Sequence, residues 1–169
     1  MSAITLGPAR IGDAPRIANM SRTLIEPGLP WSWRPARVSA HMREREHLTI
    51  VAKEGGVLAG FVLAQFGAET VHLALLGVAE AYRRQGIGRR LVKWVEETAV
   101  VAGLFVVRLE VRATNQSARR FYATLGYSES GSAPGYYSGV EDAVKLSRDL
   151  RAVPWRPGDV LKHPDNKQR

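Results

Sequence analysis

The feature that most constrains the fold is a short turn containing two glycines, Arg83-Arg-Gln-Gly-Ile-Gly88. The turn separates a strand-like segment, 70–78, from a helix-like segment, 86–101, whose apolar residues recur at helical spacing. A second apolar segment, 104–111, follows the helix and has the composition of a strand that is covered on both faces. A strand, a helix and a second strand in this order predict a parallel, right-handed crossover.

The remaining segments place this crossover inside a larger sheet. Seven segments have strand-like patterns: 3–6, 48–53, 57–66, 70–78, 104–111, 127–130 and 143–146. Four segments have helix-like patterns: 13–24, 35–46, 86–101 and 115–125. Because 48–78 holds three consecutive strands joined by tight turns, it indicates an antiparallel meander. The whole order predicts an α+β fold with a mixed, mostly antiparallel seven-stranded sheet and about four helices.

The composition excludes several kinds of site. The chain has no cysteine, which excludes disulfides, thiolate nucleophiles and Cys-ligated zinc. Its four histidines are scattered without the spacing of metal ligands, so no metal site is expected. The apolar runs are only as long as strands, and the first residues lack a basic segment followed by an apolar one. We therefore expect a cytoplasmic protein that does not contact a membrane.

Charge and domain organisation allow broader expectations. The formal net charge of +8 favours a polyanionic partner or a phosphate-rich cofactor, although a basic surface kept for solubility explains it equally well. Because the chain lacks a helix-turn-helix pattern or an aromatic-basic motif, nucleic acid is not an expected partner. A homodimer is compatible with the sequence. We expect one domain over residues 1–150 and a loosely ordered basic tail over 151–169, in which Trp155 is a candidate anchor.

The turn before segment 86–101 has the properties of an anion-binding site. Gly86 and Gly88 remove side chains where the backbone enters the helix, and the first N–H groups of a helix have no intrahelical acceptor. Four arginines raise the local positive potential: Arg83, Arg84, Arg89 and Arg90. The dinucleotide pattern G-x-G-x-x-G fails because its third glycine would fall at Leu91. The turn thus predicts a diphosphate site, with a glycine turn among solvated arginines as the alternative.

Segment 73–92 resembles motif A of the GNAT acetyltransferase superfamily. The family pattern Q/R-x-x-G-x-G/A falls on Arg83, Gly86 and Gly88. The resemblance implies acetyl-CoA as the cofactor, with its pyrophosphate on the backbone amides of this turn. The further residues it assigns to the cofactor are Arg84, Gln85, Ile87 and Arg89.

The same resemblance gives a role to the strand before the turn. In the family this strand splays from the next strand and pairs with pantetheine, a role that falls here on the main chain of Leu76, Gly77 and Val78. An amide near Leu76 would polarise the thioester carbonyl. Because glycine inside a strand often marks a bulge, we expect the opening to begin with a bulge at Gly77.

Segment 109–127 resembles motif B of the same superfamily. Asn115, Ala118 and Tyr122 fall on family positions that contact the cofactor, together with Gly126 and Tyr127 as motif residues. Asn115 also has the position of a helix N-cap, which is a sufficient structural reason for it.

The two candidate proton-transfer groups are Glu110 and Tyr122. The run Leu109-Glu-Val-Arg112 and the later segment 134–143 resemble the bacterial ribosomal-protein N-terminal alanine acetyltransferases, which implies that Glu110 is the base and Tyr122 the acid. Glu110 interrupts an apolar strand, so we expect burial to raise its pKa; pairing with Arg108 or Arg112 is the alternative.

Tyr122 is a weaker candidate on chemical grounds. A free phenol protonates a thiolate only uphill, so the site must favour the ionised form of Tyr122, or else its hydroxyl merely hydrogen-bonds the sulfur. The alternative to a catalytic role is that Tyr122 only packs its helix onto the sheet.

Four aromatic residues in predicted loops are candidates for the acceptor site: Trp31, Trp33, Tyr136 and Tyr137. The resemblance implies that these loops wall the acceptor, although ordinary anchoring of a loop explains the tryptophans individually. The sequence predicts an N-acetyltransferase that moves acetyl from acetyl-CoA to a primary amine, such as a peptide or protein N-terminus, by direct attack in a ternary complex. The alternatives are a small-molecule amine acetyltransferase and a non-catalytic acyl-CoA sensor.

Overall fold

A mixed sheet of seven strands runs through residues 2–152, the part of the chain that the computed structural model describes. The strands are β1 (Ile4–Pro8), β2 (His47–Glu54), β3 (Val57–Phe66), β4 (Thr70–Val78), β5 (Val106–Arg112), β6 (Ser128–Tyr137) and β7 (Glu141–Asp149). The helices are α1 (Ala14–Leu24), α2 (Pro35–Arg43), α3 (Ile87–Val101) and α4 (Gln116–Thr124). The predicted fold class is confirmed. Most of the expected tail, including Trp155, lies outside the described residues.

The strand order is β1-β2-β3-β4-β5-β7-β6, and β4–β5 is the parallel pair that the crossover predicts. The helices divide between the two faces of this sheet. Buried side chains of α1 and α2 pack with one set of strand residues, including Phe61 and Leu75. Buried side chains of α3 and α4 pack with the other set, including Val107 and Leu109. Of the helices in residues 2–152, none is both long and apolar enough to span a membrane.

The parallel pairing between β4 and β5 is short. It joins Thr70–His72 to Val106–Arg108 and then stops. Beyond it, β4 remains paired with β3 as far as Val78, while β5 remains paired with β7 as far as Arg112. The sheet therefore opens between the second half of β4 and the second half of β5, as the family resemblance implies.

The bulge that precedes this opening is not at the expected position. Leu63 pairs with Leu75 and Ala64 pairs with Leu73, so the extra residue is Ala74 rather than Gly77. Gly77 has a packing role instead, because a Cβ there would lie 2.7 Å from Cε1 of the fully buried Phe61 ring. The prediction of a bulge at Gly77 was wrong, since a strand glycine can equally mark the close approach of a large side chain.

The last hairpin is longer than the sequence predicts. Tyr136 and Tyr137 are the final residues of β6 and not loop residues. Because β6 is an edge strand, it tolerates Pro134 and Gly135, which suggested a loop, and the register shifts between Ala133 and Tyr137. The hairpin consequently carries both tyrosines on an ordered strand end.

A buried histidine joins α2 to β2. His41 is 4% exposed, and its Nε2 lies 3.3 Å from the carbonyl oxygen of Leu48. Its ring stacks on His47 and meets Trp33 edge-on. Burial, together with the charges of His47 and Arg37, lowers the pKa of His41 to about 4, against the opposing effect of the hydrogen bond to Leu48.

This histidine predicts a loss of stability in mild acid. In the unfolded chain His41 binds a proton as the pH falls below about 6.5, whereas in the folded protein it stays neutral down to about 4. The free energy of unfolding should therefore fall between these pH values, by at most about 3 kcal/mol. Urea unfolding of the wild type and of His41→Leu across this range measures the effect. A variant with the same pH slope as the wild type would contradict it.

Candidate active site

The start of α3 has an unusual backbone. Gly86 precedes the helix with φ of 76°, in the left-handed region, and Arg84 has φ of 63°. A Cβ added at Gly86 would touch nothing within 4 Å, so glycine is needed here for conformation and not for space. Residues 83–86 are exposed, so the start of α3, whose first N–H groups have no acceptor within the helix, lies at the protein surface at the positive end of the helix dipole.

Gly88 has a different role from Gly86. A Cβ at Gly88 would lie 3.2 Å from Cζ of Phe121 on α4 and 3.8 Å from a methyl group of Val78. The residue thus lets α3, α4 and the end of β4 approach one another closely. The helix start and the opening in the sheet consequently form one continuous site.

Cations surround this helix start. Arg83, Arg84, Arg89 and Arg90 are all exposed. Within residues 2–152, none of these four side chains has a carboxylate within 4 Å. The free positive charge and the free N–H donors are suited to a diphosphate group.

The opening in the sheet suits an extended polar chain. Because β5 has diverged, the main chain of Leu76, Gly77 and Val78 has no strand partner on that side. Backbone groups in this position need hydrogen-bond partners, which an amide-containing ligand can provide. The opening and the helix start together fit a ligand with a diphosphate and an extended amide chain, as in coenzyme A.

Asn115 and Ala118 form the N-cap that the sequence predicts for α4. The Asn115 side chain accepts a hydrogen bond from the N–H of Ala118, with an N···O distance of 3.0 Å. The Ala118 N–H is therefore already satisfied, and cofactor contact by either residue stays a prediction.

Tyr122 is buried on the α3 side of the sheet, with its ring edge-on to Tyr127. Burial raises the pKa of Tyr122, and the neighbouring Tyr137 adds to the effect. Of the two possibilities left open for Tyr122, the surroundings do not favour the ionised form, because they are apolar and do not stabilise a phenolate. In this environment the Tyr122 hydroxyl is a hydrogen-bond donor more than a proton source.

Glu110 lies on the opposite face of β5, two residues beyond the last parallel pair. His72 Nε2 donates a hydrogen bond to Glu110 Oε2 at 2.6 Å, and Arg108 Nη1 lies 3.5 Å from Oε1. Burial pushes the pKa of Glu110 up, but His72, Arg108 and Lys145 outweigh burial and leave it below its ordinary value. The expectation of a raised pKa was therefore wrong, because the cations exceed the desolvation.

His72 is the site residue that sequence reasoning missed. It lies opposite Arg108 in the parallel ladder, so its partner is set by the β4–β5 register. In the sequence, His72 is only a polar residue between the apolar Val71 and Leu73, and such alternation of polar and apolar residues is ordinary in a strand. A prediction of the register, beyond the prediction that the two strands pair, would have been needed to find the contact.

The two tyrosines at the end of β6 lie beside the same carboxylate. Burial and the charge of Glu110 raise the pKa of Tyr136. Burial, Tyr136 and Glu110 likewise raise the pKa of Tyr137, whose ring lies 5.9 Å from the Arg112 guanidinium. The structure therefore brings together Glu110, Tyr136 and Tyr137, which the sequence places far apart.

Trp31 and Trp33 lie in the segment between α1 and α2, packed against the core on that face. Trp31 Nε1 donates to the carbonyl oxygen of Ala18, and the Arg37 guanidinium lies 3.9 Å from the Trp33 ring centre. Glu26, a second residue that sequence reasoning missed, is buried and holds this segment.

The carboxylate of Glu26 accepts hydrogen bonds from the Ser21 hydroxyl and the Ser32 N–H. These contacts anchor the segment, and a role of the tryptophans in acceptor binding stays a prediction.

Comparison with known proteins finds relatives whose sequences match most of this chain. The chain is 32% identical to the Mycobacterium tuberculosis protein named N-alpha-acetyltransferase RimI, over 86% of this chain and 92% of the relative. It is 30% identical to the ribosomal protein bS18-alanine N-acetyltransferase of Escherichia coli (strain K12), over 70% of this chain and 80% of the relative.

A solved structure and a family model agree with these relatives. The fold matches the PaiA N-acetyltransferase of Thermoplasma acidophilum, solved with coenzyme A, with a TM-score of 0.75 at 18% identity over 87% of this chain and 99% of that one. The model of the acetyltransferase (GNAT) family, whose cofactor is acetyl-CoA, matches residues 18–127. The chain belongs to this family and is an acyltransferase enzyme.

Proposed function

We propose that this enzyme transfers an acetyl group from acetyl-CoA to the α-amine of a peptide or protein N-terminus, by direct attack within a ternary complex. The observation that carries the proposal is the Glu110–His72 pair at the mouth of the β4–β5 opening, with Tyr122 on the other face of the sheet. The proposal is supported by the relatives, one named as an N-alpha-acetyltransferase and one for an alanine of ribosomal protein bS18.

The cofactor would be held by backbone more than by side chains. The N–H groups of residues 85–88 and the nearby arginines would bind the diphosphate, while the main chain of Leu76–Val78 would pair with the pantetheine arm. When bound, acetyl-CoA supplies an acetyl group activated as a thioester. An amide near Leu76 would hydrogen-bond the carbonyl oxygen of that group.

The acceptor must lose a proton before it attacks. At pH 7 this costs about 1 kcal/mol for an α-amine and about 4.6 kcal/mol for a lysine amine. Glu110, with its lowered pKa, is a weak base by itself. A weak base, held in position by the hydrogen bond from His72, is sufficient only for the less costly of these two deprotonations. The pair therefore suits an α-amine better than a lysine.

Tyr122 acts on the departing side. Its buried hydroxyl donates a hydrogen bond to the sulfur as negative charge develops there. The apolar surroundings that raise the pKa of Tyr122 also strengthen this interaction, since no water competes for the sulfur. Glu110 and Tyr122 would thus approach the reacting atoms from opposite faces of the sheet.

The direct test of this proposal is acetyl transfer to defined amines. We expect the purified enzyme to release free coenzyme A from acetyl-CoA with short peptides that have a free N-terminus, and not with the same peptides blocked at the N-terminus. Mass spectrometry of the product should place the acetyl group on the α-nitrogen. Transfer only to free small amines, or only to lysine side chains, would contradict the proposal.

The pair predicts a change in the pH profile. His72→Gln keeps a hydrogen-bond donor next to Glu110 but removes the imidazole whose charge lowers the pKa of Glu110, so the low-pH limb of kcat/KM should move to higher pH. Glu110→Gln removes the base itself and should lower kcat about 100-fold as well as move that limb. Tyr122→Phe is the matched comparison, because it should lower kcat without moving that limb. A wild-type profile in His72→Gln would remove His72 from the mechanism.

The cofactor site predicts an effect of charge at Gly86. Asparagine and aspartate both tolerate a left-handed backbone and are nearly equal in size, so Gly86→Asn and Gly86→Asp differ mainly in charge. Aspartate beside the diphosphate should raise the Kd for coenzyme A at least about tenfold relative to asparagine. Isothermal titration calorimetry measures the difference, and similar melting temperatures would show equal folding. Equal affinities would place the diphosphate elsewhere.

A further inference from the structure

The end of β6 that carries Tyr136 and Tyr137 has little support from the sheet itself. In the sheet of residues 2–152, β6 is an edge strand that pairs only with β7, and this ladder has no pair between Ala133 and Tyr137. The turn that follows is closed by a hydrogen bond from the Gly139 N–H to the carbonyl oxygen of Gly135. That bond shapes the turn but does not attach it to β5, so side-chain contacts must set its distance from the site.

Arg112, the last residue of β5, makes such contacts with the hairpin. Its guanidinium lies 5.9 Å from the centre of the Tyr137 ring, and its Nη1 lies 3.4 Å from a carboxylate oxygen of Glu141, the residue that pairs with Tyr137. The Thr114 hydroxyl donates a hydrogen bond to the other oxygen of Glu141. Arg112 and Thr114 therefore tie the end of the hairpin to the end of β5.

The surroundings of Arg112 do not favour stability. Its side chain is 21% exposed, and within residues 2–152 its Nε and Nη2 atoms are buried without a hydrogen-bond partner. Buried N–H donors without acceptors cost free energy, and apolar residues of similar volume can often replace a buried ion pair without loss of stability. A role other than stability would account for an arginine here.

The contact with Tyr137 lies next to the candidate base. Arg112 follows Glu110 by two residues and so lies on the same face of β5. Burial raises the pKa of Tyr137; Tyr136 and Glu110 raise it further, whereas Arg112 lowers it. Tyr137 also adds to the effect of burial on the pKa of Tyr122. The Tyr137 hydroxyl is thus within electrostatic range of both candidate proton-handling groups.

We infer that Arg112 is a positioning residue for the acceptor. By contacting the Tyr137 ring and Glu141, it fixes the end of β6 relative to Glu110, and this end of β6 forms one wall of the space that the acceptor enters. The inference rests on the proposed function, because it takes Glu110 as the group that receives the acceptor's proton. Arg112 acts through Tyr137 and does not itself bind the acceptor.

The first experiment replaces the ion pair with uncharged groups of similar size, in the double variant Arg112→Met and Glu141→Gln. We expect the KM for an accepted peptide to rise at least about fivefold, as loss of one cation–π contact would do, while the Kd for coenzyme A changes less than about twofold. The melting temperature should change little. An unchanged KM, or a Kd for coenzyme A that rises as much as KM, would overturn the inference.

A matched ion pair on the other face of the sheet provides the control. Arg148 Nη1 lies 2.8 Å from Glu96 Oε2, the two side chains are 26% and 14% exposed, and the Tyr127 hydroxyl also donates to Glu96. The double variant Arg148→Met and Glu96→Gln removes this pair beside a tyrosine and should leave the KM for the peptide unchanged. An equal rise of KM in both double variants would contradict a specific role of Arg112.

The second experiment asks whether Arg112 acts through Tyr137. Arg112→Met should raise the KM for the peptide in the wild-type background. In a Tyr137→Ala background it should add less than about twofold, because residues in one contact network do not act additively. Effects that multiply in full would show that the two residues act independently and would overturn the inference.

Failure of the proposed function gives a different result from failure of this inference. If only small amines are acetylated, the N-terminal function is wrong, and the same comparisons of KM with such an amine still test Arg112. If the double variant at Arg112 and Glu141 acetylates peptides with the wild-type KM, the positioning role is wrong and the N-terminal function stands.

Discussion

The early end of the pairing between β4 and β5 is the constraint on which the rest of the site depends. After three residue pairs the two strands diverge, each still held by its neighbour on the other side. The bulge at Ala74 lies just beyond the last pair, and a bulge of this kind bends its strand locally. The divergence leaves backbone groups without partners inside the sheet, and these groups need a ligand to satisfy them.

The same divergence separates the two groups proposed to handle protons. Tyr122 is buried in the apolar cluster of the α3 face, where its pKa rises, whereas Glu110 lies among cations on the other face, where its pKa falls. Neither group is matched to neutral pH by itself. His72 holds the carboxylate by a hydrogen bond, and the proposed role of the buried phenol is to donate a hydrogen bond to the sulfur.

Sequence reasoning found the features that depend on local pattern. The crossover, the antiparallel meander and the N-cap at Asn115 follow from periodicity and capping, and the helix start at Gly86 follows from two glycines in a turn. What it missed depends on register and packing between distant segments. The His72–Glu110 contact needs the β4–β5 register, the role of Gly77 needs the Phe61 ring, and the pKa of Glu110 needs Lys145 across the next strand.

The most direct test of the central claim is an amide NMR titration of the isotope-labelled protein with coenzyme A. We expect the largest shifts at residues 85–88 and at Leu76–Val78, because those N–H groups at the start of α3 and along the open edge of β4 acquire partners. Shifts confined to other parts of the chain, with both of these segments unchanged, would contradict the account.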